Sequence, residues 1–177
     1  AQWWISLPKS YDELYLSYWI KFGAGFDFAK GGKIPGLLGG KGNTGGNKPD
    51  GTDGWSARMM WRKQGAAVQY VYHPDQPSTW GEDMAWSRSF KPGTWHRVEH
   101  RIKINTPGKK DGVVQGWWGG KPALSRTDIR FRDVGSFAID GFYFSTFFGG
   151  GDASWAAKKD EYVSFDDFIV ATKPITH

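Results

Sequence analysis

Cysteine is missing from all 177 positions, which removes a disulfide framework, thiolate-ligated zinc and a thiol nucleophile together. Long apolar runs are missing too: nothing approaches the roughly eighteen consecutive apolar residues of a membrane-spanning helix. No window repeats its apolar residues at helical spacing, and no His-x-x-x-His pair stands near a third ligand. No acidic calcium-loop pattern occurs either, so neither metal nor cofactor is expected. Carboxylates are in the minority, with 18 Asp and Glu against 23 Lys and Arg, a formal charge of +5. That balance favours a polyanionic partner, and nucleic acid and acidic polysaccharide both qualify. The basic residues are scattered and no nucleic-acid motif is present, which disfavours the first.

Aromatic residues and glycine are abundant, at 17% and 25 residues respectively. Apolar residues alternate with period two in Leu14-Tyr15-Leu16-Ser17-Tyr18-Trp19-Ile20-Lys21-Phe22, and similar runs recur at 55–61, 68–73, 95–104, 137–147 and 162–170. Turn-forming clusters separate them. This predicts an all-β chain, an antiparallel sandwich of the jelly-roll type, in one domain covering residues 1–177. At most a short helical turn fits near Ser154–Lys159. From Gly31 to Gly54, ten of twenty-four residues are glycine, and the segment reads as a long loop. The opening Ala1-Gln2-Trp3-Trp4, without initiator Met or apolar leader, reads as a mature or trimmed product.

The segment from Trp55 to His73 reads as a β-hairpin around Lys63-Gln64-Gly65, with glycine supplying the left-handed residue of a bulged three-residue turn. That register sets Met60 opposite Val68, Arg58 opposite Tyr70 and Ser56 opposite Tyr72. A guanidinium, a hydroxyl and two phenols then share one face. A two-residue turn at Gln64-Gly65 would slip the pairing by one and separate them. The face is therefore either a site or an amphipathic outer surface with Tyr and Arg at its rim. His96 and His100 share a strand face with Val98, Ile102 and Ile104, which makes them core or edge histidines. Asp160-Glu161 and Asp166-Asp167 lack the alternation that places two carboxyl groups for retaining glycoside hydrolysis.

The run Tyr18-Trp19-Ile20-Lys21-Phe22, Gly25-Phe26-Asp27-Phe28 and Lys30-Gly31-Gly32-Lys33-Ile34-Pro35-Gly36-Leu37 resembles the signature of polysaccharide lyase family 14. The likeness continues through Gly54–Arg62, the Tyr70-x-Tyr72 pair, Gly93-Thr94-Trp95-His96 and Phe165-Asp166-Asp167-Phe168. Ahead of it, the only strand expected is Gln2–Ile5. The resemblance implies a jelly roll whose concave sheet binds an anionic polysaccharide and cuts it by β-elimination. The polymer would be a 1,4-linked polyuronide, mannuronate-rich alginate or glucuronan. It further implies catalytic roles for Lys33, Arg58, Tyr70 and Tyr72, and substrate binding by Ser56. Secretion is inferred from the substrate class alone, and a monomer is expected, with no membrane or nucleic-acid partner.

In that chemistry Arg58 and Lys33 would neutralise the uronate carboxylate. Cations beside Tyr70 would favour its phenolate and make it the proton acceptor, with Lys33 the alternative base under alkaline conditions. Trp61, Trp117 and Trp118 could stack on sugar rings, but Trp at alternating positions is more often core or rim packing, and they are not counted among the site residues. The rival reading is a carbohydrate-binding module that grips polyuronide without cutting it.

Overall fold

A computed structural model describes residues 1–175. Among them, twelve strands form two antiparallel sheets packed face to face. The alternating run at 14–22 is strand β2 (Glu13–Phe22), whose Leu14, Leu16, Tyr18, Ile20 and Phe22 all point into the core. It lies between β7 (Trp95–Lys103) and β12 (Val163–Ala171), and that sheet continues through β8 (Gly112–Trp118) and β9 (Lys121–Ile129). The facing sheet runs β1 (Gln2–Tyr11), β10 (Ile139–Ser145), β3 (Gly31–Gly40), β4 (Gly54–Arg62), β5 (Ala66–Tyr72) and β6 (Glu82–Ser89), with the two-residue β11 (Phe147–Phe148) also on β3. Sandwich and jelly-roll expectations are met.

Aromatic rings fill the space that a helix-free core must fill with large side chains. Phe22 sits 4.8 Å from Phe26, 5.0 Å from Phe28 and 5.3 Å from Trp61, ring centroid to centroid, mostly edge to face. Two polar tips of the core rings find carbonyls: Tyr18 donates to the Pro35 carbonyl at 3.1 Å, tying the two sheets, and the Trp55 indole donates to Ala138 at 3.0 Å. His100 is fully buried on β7 opposite Leu16 and Gly116, as its apolar companions predicted.

One expectation fails outright. Gly31–Gly54 is not a single loop, because Gly31–Gly40 is the strand β3, hydrogen-bonded between β10 and β4, and only residues 41–53 are irregular. The glycines there answer to packing. A Cβ on Gly39 would meet the Ala138 carbonyl oxygen at 1.8 Å, and one on Gly32 would meet the Trp61 ring at 2.1 Å. Strand β1 also runs to Tyr11, beyond the Gln2–Ile5 expected, and the short helical turn lies at Ala153–Trp155 rather than further on.

Candidate active site

The hairpin of β4 and β5 is where side-chain chemistry accumulates. Its turn, Lys63–Gly65, places both Gln64 and Gly65 at positive φ, +58° and +76°, and the pairing it imposes is Ser56 with Tyr72, Arg58 with Tyr70 and Met60 with Val68. This is the three-residue register; the slipped alternative is excluded. The neighbouring strand β3 adds Lys33, which pairs with Met60. A bulge at Pro35 then shifts the register, so that Gly36 rather than Pro35 faces Arg58. That extra residue lets Ile34 and Leu37 both reach the core while Lys33 stays on the opposite, solvent-side face. Lys33 thus comes from a strand and not from a glycine-rich loop.

Arg58 is 1% exposed. Its Nη1 donates to Ser145 Oγ at 3.3 Å and its guanidinium lies 4.8 Å from the centre of the Tyr143 ring. Its Nε has no hydrogen-bond partner, and no carboxylate pairs with it among the described residues. A buried cation without a counter-ion is costly unless an anion arrives to complete the site.

Lys33 is likewise buried, with Nζ 3.0 Å from Met60 Sδ and 4.3 Å from the centre of the Tyr70 ring. Burial, then the positive charges of Arg58 and Arg62, bring its ammonium down from 10.5 to about 7, with Asp83 opposing. Such a lysine is half neutral at neutral pH.

Tyr70 and Tyr72 stand edge to face with ring centroids 5.5 Å apart and their hydroxyl oxygens 3.5 Å apart. The Gly81 N–H donates to Tyr70 Oη and the Gly46 N–H to Tyr72 Oη, each at 3.1 Å, so two loops fix the phenols. Here the expectation of an easily formed Tyr70 phenolate is corrected. Burial and the Tyr72 hydroxyl hold its proton well above the ordinary tyrosine value and outweigh the lowering effect of Arg62. Ser56 shares the face but lies beneath it, fully buried, donating to the Asn43 carbonyl at 2.6 Å; it braces the loop 41–53 against the sheet.

These groups open onto a cleft of about 670 Å³ that contains Lys33, Arg58, Tyr70 and Tyr72. Three further cleft residues escaped the sequence reading. Arg62 continues the Ser56, Arg58, Met60 alternation, a signal that could have found it; Asp83 holds it through contacts of 2.8 and 2.5 Å. Trp80 and Trp155 come from connecting segments that carry no periodicity at all. Of the tryptophans considered beforehand, Trp61 is core, and Trp117 and Trp118 belong to the other sheet. Among the described residues no group of three His, Asp or Glu side chains is arranged to hold a metal ion. The site therefore offers a cation for a carboxylate, a half-neutral amine and, in Tyr70, a phenol that keeps its proton, which is proton-transfer chemistry on an anionic substrate.

Comparison with known proteins agrees with that chemistry. A family model described as Polysaccharide lyase 14 matches residues 1–168. The alginate lyase Aly36B is 31% identical over 96% of this chain and 73% of its own, with a TM-score of 0.85. A doubly substituted form of it, solved with an alginate tetrasaccharide, superposes with a TM-score of 0.89 over 99% of this chain and 75% of its own, at 30% identity. The marine PL-14 alginate lyase from Aplysia kurodai is 33% identical over 94% of this chain and 72% of its own, with a TM-score of 0.83. An endo-β-1,4-glucuronan lyase from Trichoderma reesei shares the fold at 15% identity and a TM-score of 0.66, over 97% of this chain and 74% of its own. No curated protein matches by sequence.

Proposed function

Since the chain belongs to the polysaccharide lyase 14 family and is a lyase of uronans, we propose that its polymer is alginate, cut by β-elimination with Lys33 as the base. Supporting the choice of polymer, the relatives at 30% identity or more act on alginate by their names, while the glucuronan lyase is far more distant. Mannuronate-rich blocks are the first substrate to try. A high-molecular-weight polyanion does not cross a membrane unaided, which favours a secreted enzyme.

The observation that carries the mechanism is the adjacency of a buried arginine without a counter-ion and a lysine brought to about 7. Arg58 takes the uronate carboxylate, and the charge that builds there as the C5 proton leaves is met by a preformed donor in a dry site. Neutral Lys33 accepts the C5 proton. The C5–H electron pair becomes the C4=C5 double bond, the C4–O4 bond breaks with its pair on oxygen, and O4 needs a proton. Tyr70, held protonated by its surroundings, donates it; the Lys33 ammonium, stacked 4.3 Å from the Tyr70 ring, then returns a proton to the phenolate. Tyr72 orients Tyr70, and Ser56 holds the loop whose Gly46 N–H anchors Tyr72.

The test is the ultraviolet absorbance of the unsaturated uronate, followed separately on mannuronate-rich alginate, guluronate-rich alginate and glucuronan. Lys33→Met, Arg58→Ala and Tyr70→Phe each lower turnover at least a hundredfold, about what a removed acid–base group or oxyanion partner costs. Circular dichroism verifies that each variant is folded. Polymer binding without new absorbance would make the protein a binding module, and near-normal turnover by Lys33→Met would displace it as the base.

A further inference from the structure

Two tryptophans that the elimination chemistry does not use stand at opposite ends of the cleft. Trp155 packs at the Arg62 end: a Cβ on Gly31, the residue paired with Arg62, would meet its ring at 3.4 Å. Trp80 stands at the Tyr72 end, where a Cβ on Gly46 would meet its ring at 3.3 Å and the Gly46 N–H holds Tyr72 Oη. From Ser56, opposite Tyr72, to Arg62 is six residues of extended strand, about 20 Å at roughly 3.3 Å per residue. Lys33, Arg58 and Tyr70 lie between, and both indoles line the same cleft.

Neither ring is buried, Trp80 being exposed and Trp155 half-buried. Trp80 is 53% exposed. The Trp155 indole lies against the main chain at Gly150, where a Cβ would fall 2.1 Å from it, so only glycine allows that placement. Two cations lie over the same indole, Lys30 Nζ at 5.8 Å and the Arg62 guanidinium at 5.9 Å from the ring centre. An apolar ring face beside positive charge matches a uronate residue, which presents C–H groups on its ring and a carboxylate at its edge.

We infer that Trp155 and Trp80 are the two outer sugar platforms of the cleft, one on each side of the bond that is cut. They hold a polyuronide lengthwise along β4 and β5, with Lys30 and Arg62 reading a carboxylate at the Trp155 end. The inference rests on the lyase reading above and adds the path of the chain and the residues that set where it is cut. Arg62 acts there through charge while Asp83 keeps it in place.

The experiment uses a uronate hexamer labelled at its reducing end, with products separated by length. Losing one platform weakens binding at that end only, so the favoured seating of the hexamer moves away from it. Trp155→Ala and Trp80→Ala therefore shift the cleavage position in opposite directions relative to the unsubstituted enzyme. Each also lowers kcat/KM on the hexamer about tenfold, the equivalent of one aromatic contact. Trp155→Phe restores much of the original pattern. Unchanged cleavage positions in both alanine variants, or a shift in the same direction, would overturn the assignment, since a merely structural role slows cutting without moving it. Absence of cutting by the unsubstituted enzyme on every uronate polymer would instead remove the lyase reading beneath it.

Discussion

Lys33 gives up its proton near neutrality because a buried ammonium beside two guanidinium groups has lost hydration and gained repulsion. As the proposed base it works only when neutral, so kcat/KM is expected to rise with pH through about 7 and level above it. The neighbouring ion pair allows a signed test. Arg62 lowers the Lys33 value and Asp83 raises it, and each is the other's partner. Arg62→Gln removes the cation and leaves Asp83 uncompensated, which moves the rising limb to higher pH. Asp83→Asn does the reverse and moves it to lower pH. Each displacement is about half a pH unit. Limbs that stay fixed in both variants in a kcat/KM profile would mean that another group titrates.

Strand β3 separates what packing demands from what its composition suggests. Gly39 has the Ala138 carbonyl and the Trp55 indole within 2.4 Å of where a Cβ would stand, and neither can retreat without opening a strand pair or the core. Gly39→Ala accordingly costs about 3 kcal/mol or more, or prevents folding. Gly93→Ala meets nothing within 4 Å and carries only the strain of φ +74°, about 1 kcal/mol. Denaturant midpoints of the two variants check the contrast, and equal losses would refute it. The same strand shows where reading from sequence stops. The β4–β5 hairpin was legible because its alternation is unbroken, but its turn residues allowed two registers, and only the three-residue turn seen in the structure places Ser56, Arg58, Tyr70 and Tyr72 together. In β3 the bulge at Pro35 breaks period two, so that Ile34 and Leu37, three apart, both face inward. Glycines selected by contact with Trp55 and Trp61 then look like loop glycines. Edge strands such as β6 alternate weakly, with Met84 and Trp86 the buried positions among polar neighbours. Trp80 and Trp155 reach the cleft only through the tertiary path of their loops, for which no local pattern exists.

At the scale of the whole molecule, charge governs both capture of substrate and stability. A net charge of +5, with Lys33, Arg58 and Arg62 at the cleft, draws in a polyanion through a field that salt screens. Raising salt from about 0.1 M to about 1 M shortens the screening length from about 10 Å to about 3 Å. KM for polymer then rises about tenfold or more with kcat little changed; an unaltered KM would assign capture to contact alone. Stability follows from the buried titrating groups, most of which pull one way. His100, fully buried with neither ring nitrogen hydrogen-bonded, is held at about 3, below its ordinary 6.5, and Lys33 at about 7, below 10.5. In both cases the unfolded chain binds the proton more readily, so stability increases as pH rises across each window, roughly 3 to 6.5 and then 7 to 10.5. The raised Tyr18 and Tyr70 reverse the sign only above about 10, where the unfolded chain would lose phenolic protons that the folded one keeps. The melting temperature therefore climbs from acid through neutrality and is highest in mildly alkaline solution. His100→Leu flattens the acid arm, gaining on the order of 2 kcal/mol at pH 4. Lys33→Met flattens the alkaline arm, with a gain of about 2–4 kcal/mol at pH 6 that fades by pH 10, while abolishing elimination. Melting curves for the two variants that parallel the parent at every pH would show that these burials do not shape its stability; divergence in the separate windows would show that the burial which makes Lys33 a neutral amine is held against the fold's own preference.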